Sequence, residues 1–280
     1  MPWQFIEYPA AKMMCALRGP RVYLLLMISM LMMTASSQSL WALEFESGVA
    51  ASYWRYQESS GAVTGLTQTP FHSSGSGYGL SAKLALLTAI DDDWRFSSTV
   101  SGMLPINSLS ETWALPNASV QKNQLAIEQG DVRMDLLRCF EPVCLGLWGS
   151  YRSQLQKRQQ FYINGVLQPN GLIEESVQTA WAGLSLQSES EEHLLLSLDI
   201  GVPVWVKTTN TNAPGISWHT KKGAVVDVKL DWPTPWRLGG AGVLVNVAYH
   251  YQVLGGELVQ GALWPKNHFQ QLTLGLDLRW

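Results

Sequence analysis

The sequence predicts an all-β fold, an antiparallel transmembrane β-barrel of about ten strands, with eight or twelve as the alternatives. Three observations lead there. Apolar and polar residues alternate with period two over many segments of ~10 residues. Beyond the amino terminus no apolar run approaches the ~20 residues that a membrane helix needs. Tryptophans and tyrosines gather where the alternating segments end, as they do at the two interfaces of a bilayer.

Hydrophobic residues make up 46% of the chain and charged residues 15%, too apolar a mixture for a disordered chain. The net charge of −3 lacks the basic excess with which nucleic-acid binders neutralise phosphates, so that class is excluded. Residues 22–33, VYLLLMISMLMM, follow Arg18 and Arg21 and precede Thr34, Ala35, Ser36 and Ser37. Basic, then apolar, then small is the order of a secretory signal, and this run is too short for a permanent anchor. The expected cut follows Ala42, with Ser39 as an alternative, giving a signal peptide over 1–42 and a barrel over 43–280. Met13 and Met14 offer later starts, which would leave residues 1–12 untranslated.

The last segment is the clearest strand. Leu272, Leu274, Leu276, Leu278 and Trp280 alternate with Gln271, Thr273, Gly275, Asp277 and Arg279. Alternating apolar residues that close on a terminal aromatic resemble the assembly signal of Gram-negative outer-membrane β-barrels, carried here by Leu274, Leu276, Leu278 and Trp280. That resemblance implies insertion into the outer membrane after export across the inner one. It also implies outer-membrane lipid and the barrel-assembly machinery as partners.

The same alternation gives strands at about 44–56, 77–87, 94–104, 124–138, 144–157, 172–187, 194–207, 221–232, 236–252 and 268–280. Short turns are expected at Asp91–Asp93, Phe140–Val143, Ser188–His193 and Pro233–Pro235. Long loops are expected near 57–76, 105–123, 158–171, 208–220 and 253–267, and Asn164-Gly165 within the third reads as a type I′ hairpin turn. Short periplasmic turns and long external loops are the asymmetry of such barrels, and an even strand count puts both termini in the periplasm. Trp94, Trp232, Trp236 and Trp280 then belong to one aromatic girdle, and Tyr53, Tyr78, Tyr249 and Tyr251 to the other.

Alternation alone does not say which face meets which solvent. Strand length and aromatic placement choose the inverted order, apolar outside and polar inside. A one-residue slip of the eighth strand would aim Asp227, Lys229 and Asp231 at lipid, where a midplane cation costs roughly 2–4 kcal/mol. The expected lumen charges are Glu46, Lys83, Arg95, Asp131, Arg133, Asp135, Arg152, Asp199, Asp227, Lys229, Asp277 and Arg279. Both signs are present, so a narrow barrel should fill itself with ion pairs.

Cys15 leaves with the signal, while Cys139 and Cys144 flank a short turn in an oxidising compartment; a hairpin disulfide or two free thiols are the readings open. Histidines at 72, 193, 219, 250 and 268 stand singly, without zinc-ligand spacing, and neither a metal nor a cofactor is expected. Only His250 points inward near the external end, where Glu58 or Glu174 is a candidate partner.

Ten strands with long external hairpins resemble the omptin proteases in size and architecture. Omptins carry an acidic pair facing an Asp-x-His arrangement, and this sequence matches neither. Asp91, Asp92 and Asp93 fall in a short turn; Ser217 and Ala248 stand two before His219 and His250; Glu191 and His193 share a turn on the opposite side. Enzymatic activity is therefore not expected. A barrel with a charged, filled lumen, whose external loops bind a surface or envelope partner in the manner of an adhesin, ranks first. A narrow porin-like channel comes second and a rim-located hydrolase third. The external ligand is not specified by the residues.

Overall fold

The computed structural model describes residues 43–60, 71–114, 120–169, 171–188 and 194–280. The expected signal segment, the tip of the first long loop and most of the Ser188–His193 turn lie outside these residues. The described chain is built from antiparallel strands: β1 (Leu43–Ser60), β2 (Phe71–Ala89), β3 (Trp94–Pro105), β4 (Leu109–Ala114), β5 (Val120–Phe140), β6 (Val143–Ile163) and β7 (Val166–Leu167). These are followed by β8 (Leu172–Ser188), β9 (Leu195–Asn210), β10 (Gly223–Leu238), β11 (Ala241–Leu254), β12 (Glu257–Val259), β13 (Ala262–Trp264) and β14 (Lys266–Arg279).

Ten of them form a closed ring in the order β1, β2, β3, β5, β6, β8, β9, β10, β11, β14, with β14 hydrogen-bonded back to β1. Closure leaves no unpaired edge along the wall, which is what a strand needs where no water can satisfy its backbone. β4 prolongs β3: both run antiparallel to β2 and β5, separated by the bulge at residues 106–108.

Side chains alternate across the wall. Outside lie Val49, Leu80, Leu84, Leu147, Leu184, Val202, Leu274 and Leu276, all exposed. Inside lie Glu46, Asp135, Asp199 and Asp277, all buried. An apolar exterior over a polar interior is the inverted order of a membrane-spanning barrel. Aromatic residues bound this belt on both sides. Phe45 and Trp280 meet at 5.5 Å between ring centroids at the short-turn end, and Tyr53 and Tyr78 meet at 5.5 Å toward the long-loop end. Tyr151 stacks on Trp205 at 6.3 Å on the opposite wall.

Two turns and one hairpin follow the local chemistry expected of them. Asp91 caps its turn by accepting hydrogen bonds from the backbone N–H groups of Asp93 and Trp94. β5 and β6 turn at Glu141-Pro142, and Asn164 (φ 48°) with Gly165 (φ 84°) turns β6 into β7.

Three boundaries differ from the sequence reading. The turn between β10 and β11 is not at Pro233–Pro235 but at Gly239-Gly240, with φ of 58° and 90°. The prolines sit where the β10–β11 register shifts and where β10 has run past the last residue that pairs with β9, so their missing donors break no ladder bond. Part of the expected loop at 105–123 is β4, and β5 and β6 are 21 residues each, extending the wall well beyond the belt. The expected loop at 253–267 contains the β12–β13 hairpin.

Candidate functional site: the filled lumen and its long-loop mouth

Inward positions of the ten strands meet in four groups. Toward the short-turn end, Lys83 Nζ lies 2.7 Å from Glu46 and 2.6 Å from Asp277, Arg279 donates to Glu46 at 2.8 Å, and Lys229 pairs with Asp231 at 2.6 Å. Gly48 makes room for this cluster, since a Cβ there would stand 1.8 Å from Asp277 Oδ1.

A second group surrounds Arg133. Its guanidinium pairs with Asp135, lies 2.8 Å from Asp199, and sits 4.6 Å above the ring of Trp148. Trp148 lies across Gly183 and Gly201, where a Cβ would come within 2.7 and 2.5 Å of the indole. Two glycines on neighbouring strands thus form the floor for one tryptophan.

A third group contains His250. Its Nδ1 lies 2.5 Å from Asp227 Oδ1, while Arg152 Nη1 lies 2.5 Å from its Nε2 and 3.0 Å from Gln252 Oε1; Arg152 also pairs with Asp131 at 3.1 Å. Guanidinium only donates, so Nε2 accepts and Nδ1 donates to Asp227. Both ring nitrogens are engaged, which leaves neither to act as a general base. The partner of His250 is therefore Asp227, directly across the β10–β11 ladder, and not Glu58 or Glu174 as the sequence suggested.

The fourth group lies at the long-loop end, beyond the aromatic row. Arg158 donates to Glu111 at 2.8 Å and to Glu58 at 2.9 Å. Tyr56 donates to Glu58 at 2.5 Å, and Asn123 and Ser73 donate to Glu111 at 2.8 and 3.2 Å. Burial holds the Glu58 carboxyl up at about 7; Arg158 pulls it down, but Glu175 and Glu111 add to the rise. Burial also raises Glu111, but Arg158 and Asn123 outweigh it and bring that carboxyl below its ordinary value.

Apolar side chains pack beside these ions. Trp54, Tyr56, Met103, Leu125, Ile127 and Phe269 form one buried cluster. Trp148, Val177, Trp181, Val206, Trp218, Val225, Leu254 and Trp264 form another. Trp218 and Trp264 come from the segments after β9 and β11, which fold inward: Thr208 bridges to Trp218, Trp218 donates to the carbonyl of Ala262, and Trp264 donates to Glu175 at 3.2 Å. Sequence reasoning treated these segments as loops and assigned neither tryptophan a place. Large apolar residues in otherwise polar connections were the available signal. Between the ionic layers a cavity of about 240 Å³ remains, lined in part by Lys83, Arg152, Lys229, His250 and Gln271.

In the strand alternation Glu46, Lys83, Arg95, Asp131, Arg133, Asp135, Arg152, Asp199, Asp227, Lys229, Asp277 and Arg279 take inward positions. Glu58, Glu111 and Arg158 were not singled out as lumen charges because they lie beyond the predicted strands, and Glu175, within the predicted strand at 172–187, was passed over. Cys139 and Cys144 face each other across β5 and β6 with sulfurs 2.05 Å apart. His219 bonds the carbonyl of Val206 at 3.0 Å, His268 Nδ1 lies 3.0 Å from the Tyr251 hydroxyl on the outer wall, and His193 lies outside the described residues. Among the described residues no group of three or more His, Cys, Asp or Glu is arranged to hold a metal ion.

No protein-family model matches the chain, and no curated protein sequence matches it. Solved structures similar to it are barrels. Ail, the attachment invasion locus protein of Yersinia pestis, solved with the heparin analogue sucrose octasulfate, is 12% identical with a TM-score of 0.35, over 85% of this chain and 99% of that one. Neisserial surface protein A is 10% identical with a TM-score of 0.34, over 84% and 96%. The translocator domain of the autotransporter NalP from Neisseria meningitidis is 12% identical with a TM-score of 0.35, over 84% and 88%. The fold assignment rests on the closed ring and inverted faces of this chain itself.

Proposed function

We propose that the chain is an integral outer-membrane β-barrel, inserted with its short turns in the periplasm, whose lumen is closed by its own side chains and whose long-loop end is a rigid platform for an external or envelope partner. The observation that carries this reading is the burial at the mouth. Trp54, Leu125 and Ile127 are 0% exposed and Tyr56, Trp264 and Phe269 are 1% exposed, although all of them point into the barrel. Side chains lining a water-filled pore would be wet. A ring of ten strands is narrow enough to be filled in this way. The apolar belt and the two aromatic rows support insertion in lipid.

The test is single-channel recording in planar bilayers. The expected result is no steady conductance from the wild-type chain and conductance steps from the Trp54→Ala/Arg158→Ala variant, which unblocks the mouth. Steady wild-type conductance would replace this reading with the narrow channel, whose path would run through the cavity beside Lys83, Arg152 and Lys229.

A further inference from the structure

The outer wall is not uniform above the belt. On four adjacent strands, β2, β1, β14 and β11, the outward residues just past the aromatic row form a continuous facet. Ser76, Arg55, Gln270 and Tyr251 lie in one cross-strand row; Ser74, Gln57, His268 and Val253 lie in the next; His72, Ser59 and Lys266 lie in the third. Arg55 is two residues beyond Tyr53, and the row below it holds Tyr78, Tyr53, Leu272 and Tyr249.

No outward residue in these three rows is acidic, and residues 61–70, which join β1 to β2, carry no charge in their sequence. Neither Arg55 nor Lys266 is in an ion pair with a described residue. Burial and the neighbouring Lys266 hold His268 below the ordinary imidazole range, so Arg55 and Lys266 carry the fixed charge of the facet at neutral pH. The wall on the other side differs. There Lys157 is paired with Glu128 at 2.8 Å and stands across from Glu174, so that cation is locally cancelled, and among the described residues Lys207, two residues past Trp205, has no second outward cation paired with it in one facet.

We infer that the β2–β1–β14–β11 facet binds the phosphorylated headgroup of a membrane lipid whose acyl chains lie against the belt below. The inference rests on the membrane-inserted reading above. Three features commit it to a lipid phosphate. The facet continues an apolar surface that acyl chains cover; it lies at the height where headgroups begin; and its two cations are unneutralised, with serine, glutamine and tyrosine donors between them. Arg55 and Lys266 are on neighbouring strands and four residues out of register, roughly 14 Å apart at the backbone, within reach of one large headgroup through their long side chains.

The experiment is native mass spectrometry of the detergent-refolded full chain with lipid A, a doubly phosphorylated glycolipid, and with its dephosphorylated form. Arg55→Gln/Lys266→Gln should weaken binding of the phosphorylated lipid about tenfold or more while leaving the dephosphorylated form unchanged. Lys157→Gln on the other wall, where the cation is already paired with Glu128, should change neither. Equal losses from this variant and the facet pair, or no loss from the facet pair, would overturn the inference. Each preparation is checked for the gel-mobility shift of a folded barrel. Absence of that shift in the wild type contradicts the barrel reading, whereas a retained shift without phosphate-dependent binding contradicts the lipid site alone.

Discussion

At the residue scale, the mouth of the barrel is set by one buried cation shared between carboxylates. Arg158 serves Glu58 and Glu111 together, and Glu175 lies close enough to add its field to Glu58. Because the folded state holds the Glu58 carboxyl above its unfolded value, folding takes up a proton there. Its contribution to stability is full below the ordinary carboxylate pKa and is lost as pH rises through about 7. The urea midpoint of the wild type is therefore expected to fall between about pH 5 and about pH 8, and Glu58→Gln should flatten the profile. An unchanged slope in the variant would assign the dependence elsewhere. Gly201 is limited by space instead of charge. A Cβ there meets Trp148 at 2.5 Å and the carbonyl of Ala182 at 2.9 Å, so Gly201→Val should lower stability by about 1–3 kcal/mol in the same assay.

At the element scale, alternation made most of the wall legible, while turn chemistry decided what was misplaced. Period-two patterning located ten strands and their faces, since lipid outside and ions inside leave each strand one register. Placing a turn at Pro233–Pro235 would set Asp227 opposite Ala241. The turn at Gly239-Gly240 sets it opposite His250 and so creates the Asp227–His250–Arg152 group. That site was hidden by one hairpin register. The ends of β5 and β6 beyond the belt were hidden for a different reason: Val120–Asn123 and Arg158–Ile163 do not alternate apolar with polar residues. The ladder also has a weak place. β9 and β10 share seven paired residues, from Val225 opposite Gly201 to Asp231 opposite Leu195, against fourteen for β1 and β14. Hydrogen exchange of the inserted protein should therefore open first along this seam. Slower exchange there than in β1 would show that the seam is held by more than its ladder.

At the scale of the whole molecule, the fold and the proposed closure of the lumen follow from one inversion. Placing Leu274, Leu276 and Val202 on the outside demands lipid, and placing Asp199, Asp277 and Glu46 on the inside demands partners for every charge. The pairing of those charges, together with tryptophans folded in from two connecting segments, supports the proposed barrel that presents a surface over one that passes solutes. The identity of the partner was not legible in the sequence, because recognition depends on how loop side chains converge and no local pattern encodes that. The most direct test of the inversion is to express the full chain in a Gram-negative host, separate outer membrane from periplasm, and compare the gel mobility of boiled and unboiled protein. Recovery in the outer membrane with a heat-dependent mobility shift is the predicted result; a soluble periplasmic product without a shift would contradict the membrane-spanning barrel and the closed-platform reading built on it.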